Sequence, residues 1–224
     1  MNEQSIKELV EGIVRAALAA QGGCVPAMTP ASGSQEAIPV EVSARHAHLS
    51  EQDAVALFGN PLTYDRDLSQ PGQFLCKERV RLIGPKGVMD NVAVLGPSRG
   101  RSQVEISKTD ARSLGVDAPV RQSGDVAGTP GIILASQTRI VGLEEGVIVA
   151  ARHIHMSPED AKKFQVVDKD LVCVRLESDR PTTFEQVLVR VNKDFALAMH
   201  IDADEANGAG WKKGVTGKIT GKKA

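Results

Sequence analysis

The hydrophobic positions change period along the chain, and the change divides it. In the first twenty residues Ile6, Leu9, Val10, Ile13, Val14, Ala17 and Leu18 fall at offsets of three, four, seven, eight, eleven and twelve, drawing one apolar stripe on a helix over residues 1–20. Residues 21–37 are rich in Gly, Pro, Ser and Ala, keep neither helical nor strand period, and predict a flexible linker. From Ile38 onward an alternation of period two takes over. KERVRLIGPKGVMDNVAVLG alternates around a Gly-Pro-Lys-Gly turn, and LVCVRLESDRPTTFEQVLVRV around Ser-Asp-Arg-Pro, so each predicts a pair of strands.

The chain also repeats itself. VEVSARHAHLSEQDA, Val40 to Ala54, returns 107 residues later as VIVAARHIHMSPEDA, Val147 to Ala161, with nine of fifteen positions identical. Each copy reads as a Val-rich strand, an Arg-His-x-His, and a short helix whose N-cap is Ser50 or Ser157 and whose N3 acid is Asp53 or Asp160. A second alignment sets Val104-Glu105-Ile106-Ser107 against Met199-His200-Ile201-Asp202, again a strand end running into an N-cap with an acid, Asp110 or Glu205, three residues on. The fold class predicted is mainly β with short helices: two similar β-barrel domains from an internal duplication, plus the N-terminal amphipathic helix. The halves run from 38 to 145, with a barrel core at about 45–150, and from 146 to 224.

Composition narrows the function classes. Hydrophobic residues at 42% and charged residues at 25% describe an ordinary folded protein. A net charge of -1 with 3% aromatic residues offers neither the basic surface nor the stacking platform of a nucleic-acid binder. No apolar run reaches the roughly 18 to 20 residues of a membrane span. The three cysteines, Cys24, Cys76 and Cys173, are widely spaced with no CxxC pair and read as free thiols of a reducing compartment. Glu3, Glu8 and Glu11 argue against a mitochondrial presequence, and Arg15 interrupts the only signal-peptide core. A short amphipathic helix on a tether either docks to a partner or packs on its own domain.

All five histidines sit in the repeat features. On an extended segment residues i and i+2 point to one side, about 6 to 7 Å apart, so His-x-His can direct two imidazoles at one ion. With the third aligned position the sets are His46, His48 and Glu105, and His153, His155 and His200. Three protein ligands with a position left open is the pattern of catalytic zinc, although Co²⁺, Mn²⁺ and Fe²⁺ share the ligand type. The loop Gly96–Ser102 ahead of Glu105 carries Arg99 and Arg101 among small residues and suggests an oxyanion such as phosphate. The Gln122-Ser123-Gly124-Asp125 turn adds a hydroxyl, and no Walker A or dinucleotide fingerprint is present.

These residues resemble a known family. The two Arg-His-x-His-Leu/Met-Ser segments, GPSRGRSQVEISKTDAR, PVRQSGD and ALAMHIDADEANGAGW look like the PduL-type phosphate acyltransferases, or phosphotransacylases, over residues 38 to 211. The resemblance implies two β-barrel domains around a two-zinc site. There a short-chain acyl-CoA, propanoyl or acetyl, plus phosphate would be interconverted with acyl phosphate plus coenzyme A. It implies His46, His48 and Glu105 as one zinc's ligands and His153, His155 and His200 as the other's, Arg99 as the catalytic, phosphate-handling arginine, and Ser123 as a further phosphate contact. It also implies that the strand at about 38–44 joins the second half, and that the chain forms a homo-oligomer. Residues 1–20 would be an encapsulation peptide docking to shell or core proteins of a bacterial microcompartment, in the bacterial cytoplasm and the setting of propanediol degradation. Neither nucleic acid nor membrane is implied. Two other readings of the same ligands are a zinc-dependent thioester hydrolase and a non-catalytic metal-binding module docked to a scaffold. A His-x-His amidohydrolase would need a (β/α)₈ barrel of around 250 residues.

Overall fold

A computed structural model describes residues 25–26 and 36–222. The helix read over residues 1–20 and most of the linker read over 21–37 lie outside the described residues. In chain order the strands begin with β1 (Val25–Pro26), β2 (Ile38–Val42), β3 (His46–Ser50), β4 (Tyr64–Asp67), β5 (Phe74–Ile83) and β6 (Val88–Arg99). They continue with β7 (Gln103–Glu105), β8 (Val120–Arg121), β9 (Ile132–Ala135), β10 (Ile140–Leu143) and β11 (Val147–Ala150). The last are β12 (His153–Met156), β13 (Leu171–Glu177), β14 (Thr182–Val191), β15 (Ala198–Ile201) and β16 (Thr216–Lys222). The mainly-β reading holds, with both alternating stretches forming antiparallel pairs: Ile83 faces Val88 across the Gly-Pro-Lys-Gly turn and Leu176 faces Thr182.

The strands form two sheets. One runs β1-β16-β13-β14-β12-β15-β2, and a β16–β2 pairing closes the six strands from β16 to β2 into a barrel. The other runs β10-β9-β5-β6-β3-β7-β11-β8 and curls into a half-barrel that stays open. Each sheet encloses its own cluster of buried side chains, Leu49, Leu82, Val94 and Leu134 in the half-barrel and Ile154, Met156, Leu176 and Met199 in the barrel.

The strand ahead of each Arg-His-x-His belongs to the opposite sheet from the strand after it. β2 runs parallel to β15 in the barrel, with Val40 facing Met199, before the chain crosses to β3 in the half-barrel. β11 runs parallel to β7 in the half-barrel, with Val147 facing Val104, before the chain crosses to β12 in the barrel. Both histidine segments therefore begin at the seam between the sheets.

Four short helices occur among the described residues, α1 (Glu51–Phe58), α2 (Lys108–Leu114), α3 (Pro158–Lys163) and α4 (Ala203–Gly208). Their N-caps are Ser50, Ser107, Ser157 and Asp202, each accepting from the backbone N–H three residues on, as the sequence spacing predicts. α1 and α2 stop where Gly59 and Gly115 adopt φ of 79° and 77°, which a side chain would strain. No helix among the described residues is long and apolar enough to cross a membrane. Cys76 is a buried free thiol whose pKa burial raises to about 11. Cys173 is disulfide-bonded, which corrects the expectation of a free thiol there.

Candidate active site

The extended backbone of β3 turns His46 and His48 to the same side, and register sets His46 directly opposite Glu105 on β7. His46 Nε2 lies 3.2 Å from His48 Nε2 and 3.5 Å from Glu105 Oε2, and His48 Nε2 lies 3.9 Å from Glu105 Oε1. All three residues are buried, and one donor atom from each falls within 4.8 Å of the others. The barrel repeats the arrangement. His153 faces His200 across β12 and β15, their rings stacked at 5.3 Å, with the His155 ring 4.7 Å from His153 and 5.0 Å from His200. Among the described residues only the first set brings a donor atom from each of three residues within 4.8 Å.

The hydrogen bonds of the rings say which nitrogen is available. His46 Nδ1 lies 2.8 Å from the Ala44 carbonyl and His153 Nδ1 lies 2.8 Å from the Ala151 carbonyl. A carbonyl only accepts, so Nδ1 carries the proton and Nε2 presents a lone pair, the second-sphere arrangement that orients a ligating histidine. His155 Nε2 and His200 Nε2 are buried with no hydrogen-bond partner. Glu41 Oε2 lies 3.8 Å from His200 Nε2, and buried nitrogens without a hydrogen bond in a polar cavity fit a cation-binding role. Burial holds His48, His153, His155 and His200 neutral, with pKa values of about 3, 4, 2 and 4 in that order. Burial opposes charge on Glu105, but His46, His48, the Ser123 hydroxyl and Arg99 together hold its pKa below the ordinary carboxylate value. Imidazole nitrogens beside an ionised carboxylate form a donor set suited to Zn²⁺.

Arg99 ends β6 and projects into the same place. Its Nη1 donates to Ser123 Oγ at 2.9 Å, and Ser123 Oγ donates to Glu105 Oε1 at 2.7 Å. Arg101 does not join it, being exposed and ion-paired with Glu145. His46, His48, Glu105, Arg99 and Ser123 line one cavity of about 530 Å³ together with His153, His155 and His200. The six residues read as metal ligands, with Arg99 and Ser123, thus border one space between the sheets, and Arg101 does not.

Several residues of the site escaped the sequence reading. Gln103 is buried, donates to Glu105 Oε1 at 2.5 Å and to Ser123 Oγ at 2.9 Å, and accepts from the Gly124 N–H at 2.7 Å. Its signal was a polar side chain in a short apolar strand, where the second half has Ala198. Arg190 pairs in register with His155 as Leu95 pairs with His48, so the barrel brings an arginine to the cavity wall where the half-barrel has an aliphatic. The arginines of the two repeats also have matching partners: Arg45 Nη2 lies 3.0 Å from Asp110 Oδ1 and Arg152 Nη1 lies 2.7 Å from Glu205 Oε1. Each ties a histidine strand to the helix that follows the third position of its set.

A family model described as phosphate propanoyltransferase matches residues 39–212 of the chain. The chain is 51% identical to a phosphate propanoyltransferase of Listeria monocytogenes over 221 residues, covering 98% of this chain and 97% of that one. It is also 51% identical to one of Alkaliphilus metalliredigens over 221 residues, covering 98% and 99%. A third, from Leptotrichia buccalis, is 56% identical over 182 residues, covering 80% and 86%.

Proposed function

Because the chain belongs to the phosphate propanoyltransferase family and is thus an acyltransferase, we propose that it passes a short acyl group between coenzyme A and inorganic phosphate in the cavity between its two sheets. The observation that carries this reading is that both histidine sets and Arg99 face one cavity, where a phosphate and a thioester can meet.

In this reading the planar guanidinium of Arg99 holds phosphate through paired N–H donors. Ser123 and Gln103 keep Arg99 and Glu105 in fixed relation, so a phosphate on Arg99 is held in a set position beside the first histidine set. A phosphate oxygen attacks the carbonyl carbon; as the C–O bond forms the C–S bond breaks, and sulfur leaves with the electron pair as the coenzyme A thiolate. Holding both reactants replaces an encounter between two molecules with a step inside one complex, an effect on the order of several kcal/mol. We assign His46, His48 and Glu105 as holders of one zinc ion and His153, His155 and His200 as holders of a second, which when bound would supply Lewis-acid polarisation and a soft partner for sulfur. Residues 1–20, with their single apolar stripe, we assign to docking on shell or core proteins of a microcompartment.

The experiment is free-thiol release from propanoyl-CoA by zinc-replete protein, with and without inorganic phosphate. Phosphate-dependent release is expected. Release that ignores phosphate would make the protein a thioester hydrolase, and metal binding without release would make it a binding module.

A further inference from the structure

Phe195 is held more firmly than a loop residue needs to be. It sits on the turn after β14, where its N–H donates to the Asn192 carbonyl at 3.1 Å and the Asp194 N–H donates to Asn192 Oδ1 at 3.0 Å. The next residue, Ala196, is clamped by a side chain from the other sheet's side of the cavity. Gln70 Nε2 donates to the Ala196 carbonyl at 3.0 Å, and Gln70 Oε1 accepts from the Ala196 N–H at 3.3 Å. Gln70 is 3% exposed, so both bonds are shielded from water. The Phe195 ring stacks on His155 at 4.3 Å and 21°, and the Arg190 guanidinium lies 5.8 Å from its centroid.

Among the described residues the ring is the one phenyl group on the wall of a cavity lined mostly by polar and charged side chains. An acyl chain cannot hydrogen-bond, so it must rest against apolar surface, and a ring fixed beside His155 sets how far such a chain can extend. We propose that Phe195 is the specificity-determining wall of the acyl pocket, restricting the donor to short acyl groups, and that Gln70 is the positioning residue that keeps it there. This inference rests on the acyltransfer reading of the cavity. Leu95, in register with His48, and Leu68 and Val42 supply further apolar surface on the same wall, but Phe195 is the one whose ring lies against a histidine of the barrel set.

The test compares kcat/KM for hexanoyl-CoA and propanoyl-CoA in full-length, zinc-replete protein carrying Phe195→Leu, Phe195→Ala or Gln70→Ala. The Phe195 variants are expected to raise the hexanoyl-to-propanoyl ratio about tenfold, the scale on which an apolar pocket discriminates alkyl length. Gln70→Ala is expected to raise it less, with zinc content unchanged, and Gln70→Glu, which keeps the acceptor, to restore part of the selectivity. Phe195→Trp is expected to move preference the other way, from propanoyl towards acetyl. Wild-type protein that transfers acyl groups while both folded Phe195 variants keep its ratio would overturn the assignment of Phe195 alone. Wild-type protein with no phosphate-dependent release from any acyl-CoA would overturn the acyltransfer reading and this inference with it. If the Phe195 variants do not fold, an unchanged ratio in Gln70→Ala overturns the proposal.

Discussion

Arg99 Nη1 donates to Ser123 Oγ at 2.9 Å. The hydroxyl has one proton, which it gives to Glu105, and two lone pairs, which receive Arg99 and the Gln103 amide. It is saturated, and it links the arginine to the first ligand set through a single oxygen. Arg99 is partly withdrawn from water, so burial lowers its pKa although Glu105 beside it opposes the shift. An oxyanion arriving there meets a guanidinium already oriented and partly desolvated.

Removing that guanidinium should therefore affect phosphate before it affects anything else. Arg99→Ala is expected to lower kcat/KM for phosphate about 10²-fold, the scale for losing an oriented donor from an active site, while zinc content stays at the wild-type value. Arg99→Lys should recover little, because an ammonium cannot donate through a planar fork. Initial rates against phosphate at saturating propanoyl-CoA, with metal analysis of the same samples, check both statements. An unchanged phosphate dependence removes Arg99 from the mechanism.

Gln103 acts through its neighbours. Gln103→Leu keeps the volume but strips the Gly124 N–H of its acceptor and Ser123 and Glu105 of a donor, leaving buried groups unpaired at about 1 to 3 kcal/mol of stability. The functional effect should be selective: KM for phosphate up about tenfold, with KM for coenzyme A in the reverse direction little changed. A role in folding alone would lower the urea midpoint and leave KM for phosphate where it was.

The two ligand sets are separable because each is built on its own sheet. His200→Ala removes one member of the barrel set and leaves His46, His48 and Glu105 in place. If each set holds one zinc ion as proposed, zinc content falls from two ions per chain to one, with activity falling at least about 10³-fold, since the remaining set cannot supply both halves of the site. Glu105→Gln should give the complementary result, one ion lost from the other sheet. Loss of both ions from either variant would show that the sets bind cooperatively and not as independent centres.

The sequence grouped the five histidines and Glu105 more completely than it did the architecture around them. His46 with His48 and His153 with His155 were visible because a strand's period of two is the simplest geometry a sequence encodes, and duplication printed it twice. Glu105 emerged only through its alignment with His200, and the register that sets these two opposite His46 and His153 is the structural counterpart of that alignment. The caps were legible for the same reason, being local. The alternation forecast strands in both halves, yet not that one sheet closes while the other stays open, because closure depends on the β16–β2 pairing, a contact between residues far apart in the chain. Gln103, Gln70 and Arg190 were missed because each acts across strands or across the seam, where sequence distance says nothing of spatial distance. Arg101 looked equivalent to Arg99 in the loop; only its pairing with Glu145 separates them.

The same burial that makes these histidines suitable ligands makes the metal-free protein sensitive to acid. His48, His153, His155 and His200 have folded pKa values of about 3, 4, 2 and 4, against 6.5 for an unperturbed histidine. Between pH 6.5 and about 4 the unfolded chain binds protons that the folded chain refuses, so the stability these depressed values confer is fully present above about pH 6.5 and declines as pH falls. Glu105, held below its ordinary value, adds to the loss in the same direction at lower pH, where the unfolded carboxylate protonates first. The urea midpoint of EDTA-treated protein is therefore expected to be flat from about pH 8 to 7 and to fall steadily from about pH 6 to 4. Adding zinc at pH 6 should restore the midpoint in proportion to the logarithm of its free concentration, because the ion binds only the folded, deprotonated sets. A midpoint that does not move between pH 7 and 5 would mean that the imidazoles are hydrated in the metal-free protein and that the cavity opens to water without its ions.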